Sequence, residues 1–420
     1  MKKIKNIILV LILTSFFVTG KGFSQELITS GSPYSVFGIG DQTYFTSVRT
    51  FSMGIQGIAL FGNYINTLNP ATLTKMRSTL ISVTGNYGFL KSANSISENN
   101  ISGGNFLGFN IGIPFDQTRG WVLSLGFNPQ SLMNYKVKVI GNTGYQQFNQ
   151  FYTGKGGLSR INIGMSYNLL GMISMGFEYD YSFGELKQQN FINFNNAGYT
   201  NTNIKSEIDF RKSFLKGGMI FEMGKIFRSF TLRDLNLGFV FQSGINLNAT
   251  QDGIFGTSLG ADTINLNNGT LNVPDQYGIG LTNTFNNKYL VSADVLYQDW
   301  SKYTEFGVTY PQLKESYRAG LGLEILPTEN KPGFFQTMTY RIGGFYENGN
   351  IKISGQDINS YGFRAGVNIP LSNFNSIDLG VNYSVRGTDE NNLIQDEYLN
   401  FTMGVNFGEL WFIRPKEEDQ

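Results

Sequence analysis

The side chains that most often perform catalysis are missing from this sequence, which contains no histidine and no cysteine among its 420 residues. Histidine is the commonest general base near neutral pH, and activated serine or cysteine nucleophiles usually depend on it. Ordinary zinc sites also need histidine or cysteine ligands. The residue content therefore predicts a protein that is not an enzyme, with no catalytic residues, no cofactor and no metal site, although paired carboxylates remain available.

Charged residues on the inner face of the predicted strands are the remaining candidates for chemistry. Five cations fall on that face in its upper half: Arg160, Lys216, Arg318, Arg364 and Arg386. They could bind the carboxylate of a ligand by charge-assisted hydrogen bonds, and Arg318 and Arg364 are then the best candidates. The alternative is a structural network in which nearby carboxylates neutralise the cations: Glu178, Asp180 and Asp294. Three further acids face inward nearer the periplasm: Glu222, Glu324 and Asp378.

These faces follow from an alternation of apolar and polar residues with period two, which is typical of strands. The last strand is the clearest example, with apolar residues at every second position from Leu399 to Phe407. The same pattern begins at Thr79 and recurs to give about 14 strands, an even number as in bacterial outer-membrane barrels. The sequence predicts an all-β protein, a transmembrane antiparallel β-barrel.

The predicted connections alternate between short and long, with long ones at 129–158, 185–211 and 246–274. Outer-membrane barrels have short periplasmic turns and longer extracellular loops, whereas a soluble sandwich has no reason to sort its loops in this way. The pattern therefore places the protein in the outer membrane of a Gram-negative bacterium, in contact with outer-membrane lipid. The net charge of +1 gives no reason to expect nucleic acid as a partner.

The predicted boundaries divide the chain into four parts. Residues 1–24 have a basic start and an apolar core, as in a secretory signal peptide. Residues 25–78 lack alternation and form an N-terminal hatch segment in the lumen. Residues 79–407 form the barrel, and 408–420 form a periplasmic tail.

Three blocks of the sequence resemble the FadL-type outer-membrane transporters of long-chain fatty acids and other hydrophobic compounds. The first lies in the N-terminal segment and includes Met53-Gly54, Gly57-Ile58-Ala59 and Asn69-Pro70-Ala71. The second resembles the middle hairpin of that family: Pro274, Gly278, Gly280, Ser292-Ala293-Asp294, Tyr297, Asp299, Trp300 and Ser301. The third surrounds Tyr317 and Arg318.

The resemblance implies a barrel whose lumen is blocked by a hatch that includes Asn69, Pro70 and Ala71. It also implies that a hydrophobic small molecule is captured outside and released sideways through a gap in the wall. Asn128 and Pro129 are candidates for that gap, because proline cannot donate to the strand ladder; the alternative is a strand that simply ends at a loop. The loops at 185–211 and 246–274 are rich in Asn, Gly and Thr, unlike the family's greasy loops, so fatty acid as the specific substrate is in doubt.

Two functions remain open at this stage. The first is passive uptake of hydrophobic or amphipathic small molecules, such as long-chain fatty acids. The second is a barrel that does not transport and serves as a subunit of an outer-membrane protein machine, such as the type IX secretion translocon, with other outer-membrane or periplasmic proteins as partners.

Overall fold

The computed structural model describes residues 31–44, 47–142, 147–194, 199–257, 260–327 and 333–411. The predicted signal peptide and most of the predicted tail lie outside these residues. The assignment of the hatch, barrel and tail as separate parts therefore stays a prediction.

The described chain is built almost entirely from strands. Two short α-helices are present, α1 (Val48–Ser52) and α2 (Met223–Ile226), together with 3-10 helices at Pro33–Val36, Pro70–Lys75, Trp300–Lys302, Phe334–Gln336 and Glu390–Asn392. The strands are β1 (Asp41–Gln42), β2 (Thr79–Ala93), β3 (Glu98–Asp116), β4 (Trp121–Pro129), β5 (Ser131–Asn142), β6 (Gln147–Leu169), β7 (Ile173–Phe194), β8 (Thr202–Glu222), β9 (Asn236–Gln242), β10 (Ile245–Thr257), β11 (Gly260–Val273), β12 (Gln276–Phe285), β13 (Tyr289–Asp299), β14 (Thr304–Glu305), β15 (Val308–Thr309), β16 (Glu315–Ile325), β17 (Thr339–Glu347), β18 (Lys352–Ile353), β19 (Gln356–Asp357), β20 (Ser360–Pro370), β21 (Ser376–Gly387) and β22 (Gln395–Glu409).

The large sheet closes because β2 pairs on one side with β3 and on the other with β22. The result is the predicted closed antiparallel barrel of 14 strands. Three positions in its wall are each occupied by two consecutive strands, namely β4 with β5, β9 with β10, and β11 with β12. The breaks fall at Pro129-Gln130, Ser243-Gly244 and Pro274-Asp275, where proline or glycine interrupts a regular ladder.

Period-two alternation sorts the side chains of each strand between the lumen and the outer surface. On β7, Met175 and Phe177 are exposed on the outside, while Glu178 and Asp180 are buried inside. This apolar-out and polar-in arrangement is that of outer-membrane barrels. Among the described residues, no helix has the length and apolar content needed to span a bilayer.

The long loops predicted at 129–158, 185–211 and 246–274 are wrong, because most of these residues are strand. β7 and β8 pair continuously from Ile173↔Phe221 up to Ile192↔Thr202, and β10 and β11 form a hairpin at the same end. Most of β11 is exposed, so polar side chains stand on both faces there. The upper strands therefore extend beyond the apolar band of the wall, and the hydrophobic alternation is lost although the pairing continues.

The N-terminal segment (residues 31–78) packs against the inward face of the wall through a set of glycines that we name the glycine ring. A Cβ on Gly238 would lie 2.5 Å from the Ile58 carbonyl oxygen, and one on Gly322 would lie 2.5 Å from that of Met53. Such distances are too short for real atoms, so glycine alone permits these contacts. The ring comprises Gly112, Gly176, Gly218, Gly238, Gly278, Gly280, Gly320, Gly322, Gly343, Gly366, Gly380 and Gly404.

The order of these contacts shows the path of the segment. Val48 faces Gly404 on β22, Met53 faces Gly343 on β17, and Met76 faces Gly112 on β3. The segment therefore follows the inside of the wall around the barrel, against the order of the strands.

We predict that Gly343→Leu destabilises the barrel by about 1–3 kcal/mol, the usual cost of overpacking a filled interior. The adjacent Gly344 is the matched control, because its Cβ would point outward with no atom nearer than 3.4 Å. Unfolding in urea, followed by the heat-dependent gel mobility of the folded barrel, measures the difference. Equal stability of Gly343→Leu and Gly344→Leu would contradict the packing described here.

Candidate ligand path and lumen charges

The first group of predicted cations forms a buried cluster on β6, β7 and β8. The Lys216 ammonium lies 2.7 Å from a Glu178 oxygen and 3.5 Å from an Asp180 oxygen, and Arg160 lies 3.6 Å from Asp180. Lys216 also donates to the Thr67 carbonyl at 2.8 Å, and Arg160 donates to the Thr67 hydroxyl at 2.9 Å. The cluster therefore joins the wall to the N-terminal segment.

The second group surrounds the Phe345 ring. Arg318 pairs with Glu347 at 2.7 Å, and its guanidinium carbon lies 3.8 Å from the centre of the Phe345 ring. The guanidinium carbon of Arg364 lies 4.4 Å from the same ring, and its Nε donates to the Asn382 amide oxygen at 2.9 Å. Both arginines are buried, so a ligand carboxylate does not reach them in this state.

Arg386 lies at the upper end of β21. It pairs with Asp41 of the N-terminal segment at 2.6 Å, and the Asp41 side chain is 35% exposed. The neighbouring Asp396 accepts hydrogen bonds from Ser32 at 2.5 Å and from Ser92. Of the five predicted cations, Arg386 therefore has the most accessible partner.

A further network near the lower end contains two arginines that the sequence reasoning missed. Glu324 accepts from Arg49 at 2.7 Å and from Arg341 at 2.8 Å, and Arg341 also pairs with Asp378 at 2.5 Å. The period-two alternation of β17 places Arg341 inward, so the sequence pattern could have identified Arg341 as a lumen residue. Arg49 belongs to an irregular segment with no such periodicity. Glu222, the third predicted lower acid, pairs with Lys75 at 2.8 Å.

These contacts favour the structural network over the ligand site for Lys216, Arg160 and Arg318. Asp294, which the structural-network alternative named as a neutralising carboxylate, has a different role. It accepts hydrogen bonds from backbone N–H groups of the N-terminal segment. Its donors are Gln56 at 2.9 Å and Gly57 at 2.7 Å. The ligand role of the cations is untested and stays a prediction.

The predicted hatch triplet is buried and makes a tight turn against the wall. The Asn69 side chain accepts from the Ala71 N–H at 3.0 Å and donates to the Ile58 carbonyl at 2.6 Å. Pro70 begins a 3-10 helix, where its fixed φ fits and its missing N–H costs nothing. The inward face of β7 at Gly176 meets Pro70 and Ala71. This geometry is that of a turn packed tightly against the wall.

The predicted break at Asn128 and Pro129 falls where the wall changes its pairing. β4 ends at Pro129, and β5 begins two residues later and continues along β6, so the chain does not pass into a loop. β3 pairs with β4 from Phe109 to Asp116. Among the described strands, its upper part from Glu98 to Gly108 pairs with β2 alone.

A gap therefore lies in the upper wall between β3 and β5. The edge of β5 is partly covered by β1, which pairs Asp41 with Leu132. A cavity of about 130 Å³ occupies the gap. It is lined by residues of β2, β3, β5, β22 and the N-terminal segment, among them Gly31, Asp41, Gly103, Leu132 and Asn134.

The comparisons with known proteins agree with this architecture. The family model of BamG matches residues 2–418. This chain belongs to the BamG family. Among curated proteins, none matches the chain in sequence.

Solved structures show the same fold as this BamG-family chain. A FadL homologue of Pseudomonas aeruginosa has a TM-score of 0.62 at 11% identity and aligns over 87% of this chain and 99% of its own. The P. putida toluene transporter TodX has a TM-score of 0.57 at 12% identity, over 89% and 99% of the two chains. The CymD monoaromatic hydrocarbon channel has a TM-score of 0.56 at 12% identity, over 87% and 98%.

TodX is described as a toluene transporter and CymD as a monoaromatic hydrocarbon channel. This BamG-family chain shares their barrel fold and is a β-barrel of the outer membrane. In its described residues, no group of three or more acidic, histidine or cysteine side chains is arranged to hold a metal.

We predict that Lys216→Met destabilises the BamG-family barrel by about 3–5 kcal/mol, because it leaves Glu178 buried without its cation. Lys187→Met is the matched control, since the Lys187 side chain is 49% exposed and pairs with Glu185 at 2.7 Å, and such surface pairs contribute about 0–1 kcal/mol. Denaturant unfolding in detergent micelles compares the two. A Lys216→Met protein as stable as Lys187→Met would show that the cluster is not structural.

Proposed function

We propose that this protein admits hydrophobic or amphipathic small molecules passively across the outer membrane, through the gap between β3 and β5. The observation that carries the proposal is the unpaired upper edge of β3. An open edge facing hydrocarbon leaves N–H and C=O groups unsatisfied, which is normally avoided in a membrane. A lateral passage for ligands explains why the wall has an unpaired strand edge at this place.

The surface behind the gap suits an apolar ligand. Tyr34 and Ile39 of the N-terminal segment pack with Met133 and Tyr135 of β5 in one buried apolar cluster. A ligand that displaced the 3-10 helix at Pro33–Val36 would meet Met133 and Tyr135 of β5. In this proposal the cluster is the inner wall of the path, and the N-terminal segment is the hatch.

The hatch then has two parts with different tasks. Residues 47–76, including Asn69, Pro70 and Ala71, stay docked on the glycine ring, while residues 31–44 move. An amphipathic ligand such as a long-chain fatty acid could place its carboxylate on Arg386, in exchange for Asp41. Arg318 and Arg364 lie deeper and would be reached after that exchange.

The absence of native cysteine allows a direct test in proteoliposomes. Leu132→Cys introduces a thiol at the edge of the gap, at a position 37% exposed. Reaction with a bulky maleimide should reduce the entry of a fluorescent fatty acid to the rate of empty liposomes. Leu321→Cys is the control, because Leu321 is 59% exposed on β16, away from the gap.

Uptake that is unchanged after Leu132→Cys is labelled would exclude passage through the gap. Uptake no faster than in empty liposomes before labelling would exclude transport altogether.

A second candidate, a subunit of an outer-membrane protein machine, is favoured by exposed aromatics at the lower end. Phe334 and Phe335 are 64% and 71% exposed on the connection from β16 to β17. By the rule that short turns face the periplasm, this pair would be available to a periplasmic or outer-membrane partner. Aromatic residues are the usual anchors of such interfaces.

We predict that, if this second function operates, the double variant Phe334→Ser/Phe335→Ser loses a stoichiometric partner that wild-type protein retains in mild detergent. Affinity purification followed by protein mass spectrometry gives the measurement. Leu371→Ser, at a 50% exposed position on another short turn, is the control. A wild-type preparation with no stoichiometric partner would remove this candidate.

A further inference from the structure

A second apolar site lies on the outside of the barrel, away from the gap. It is a groove of about 910 Å³ across the outer faces of β6, β7, β8, β9, β12 and β13, with Trp121 of β4 at one end. Protein pockets that hold small ligands have about 300–1,000 Å³. The groove is therefore larger than a surface irregularity.

A glycine deepens the groove at its centre. The strand register aligns outward positions in a row across the wall, namely Phe177, Gly217, Phe241, Tyr277 and Tyr297. Gly217 is the member without a side chain, so the row of rings is interrupted at β8. The groove includes the notch that this interruption leaves.

The packing of the wall does not require glycine at this position. A Cβ on Gly217 would have Gly176 O as its nearest neighbour, at 3.9 Å, whereas its neighbour Gly218 is pressed against Asn69. Gly217 also has no left-handed backbone conformation. A strand glycine without a packing reason often marks a place where a ligand approaches the backbone.

The position of the groove identifies its occupant. Its lining side chains belong to the outward apolar face that meets the hydrocarbon of the outer membrane, so the groove is continuous with the lipid interface. The occupant that is always present there is an acyl chain. A protein partner would have to displace it.

The connection below the groove offers a matching site for a phosphate. Residues 223–235 connect β8 to β9, two strands of the groove, at the short-turn end that faces the periplasm. Lys225 pairs with Glu222, and Arg233 pairs with Asp234. Arg228, on the same connection, makes no ion pair or hydrogen bond with the described part of the chain.

Two exposed rings flank this arginine. Phe227 is 62% exposed and Phe230 is 83% exposed, which suits the interfacial zone where aromatic rings sit at the level of the lipid headgroups. Arginine is the preferred partner of phosphate oxygens. The connection therefore offers a cation at headgroup depth below an acyl-sized groove.

We propose that this wall holds one phospholipid of the periplasmic leaflet, with an acyl chain in the notch at Gly217 and its phosphate on Arg228. The site is independent of the gap between β3 and β5, so it does not rest on the transport proposal. It would fix the orientation of the lipid next to the wall that Asn69 and Pro70 contact from inside.

Native mass spectrometry of the full chain, exchanged into detergent with added phosphatidylglycerol, tests the site. Wild-type protein should retain one phospholipid after delipidating washes. Gly217→Phe fills the notch, and Gly344→Phe places the same ring on another outward glycine of the wall. We expect Gly217→Phe to reduce the retained lipid about tenfold, as loss of a well-filled apolar contact does, and Gly344→Phe to leave it unchanged.

Arg228→Gln supplies a second, independent readout that leaves the wall intact. Removal of a charge-assisted phosphate contact should weaken phosphatidylglycerol binding by about tenfold. The proposal is overturned if wild-type protein retains no lipid, if both phenylalanine variants lose it equally, if Arg228→Gln binds as tightly as wild type, or if a protein partner is found seated on the groove. Heat-dependent gel mobility shows whether each variant is folded. If Gly217→Phe does not fold, the lipid binding of Arg228→Gln alone tests the proposal.

Discussion

Close contact between the backbone of residues 47–76 and the glycine ring is the constraint on which the rest of this structure depends. A strand of ordinary residues presents a Cβ at each inward position, and that atom would hold a second chain away from the wall. Glycine removes the atom at the points where the segment passes, such as Gly238 beneath Ile58 and Gly322 beneath Met53. The path of the segment and the inner shape of the barrel therefore determine each other.

The lumen charges add to this docking. Burying a cation in a barrel is costly unless carboxylates and hydrogen bonds surround it, and each cluster meets that need partly from the segment. Arg49 of the segment pairs with Glu324 of the wall, and the Thr67 carbonyl accepts a hydrogen bond from Lys216. These contacts stabilise one position of the segment on the wall relative to all others, because a shifted segment would leave a buried charge without its partner.

Much of the barrel could be predicted from the sequence, because strands that face lipid on one side and a polar lumen on the other must alternate. The first strand begins at Thr79 as predicted, and the predicted last strand from Leu399 to Phe407 lies within the observed Gln395–Glu409. The loops at 185–211 and 246–274 were mistaken, because strands that extend beyond the membrane face water on both sides and lose the apolar period. Phase placed the inward charged residues correctly, and Glu178 and Asp180 pair with Lys216 and Arg160, as the structural-network alternative expected. Two other partners were missed, Asp41 of Arg386 and Arg49 of Glu324, because they come from an irregular segment and no periodicity connects them with β21 or β16.

The two parts of the N-terminal segment are held by different kinds of contact. Residues 47–76 are fixed by the glycine ring and by buried pairs such as Arg49 with Glu324, so moving them would cost several interactions at once. Residues 31–44 are held by the two residue pairs of β1, by the part-exposed pair of Arg386 with Asp41, by the hydrogen bond from Ser32 to Asp396 and by the buried side chains of Tyr34 and Ile39. This upper part also borders the gap between β3 and β5. A passage at the gap, as proposed, therefore requires a local opening in which these contacts break while those of residues 47–76 persist.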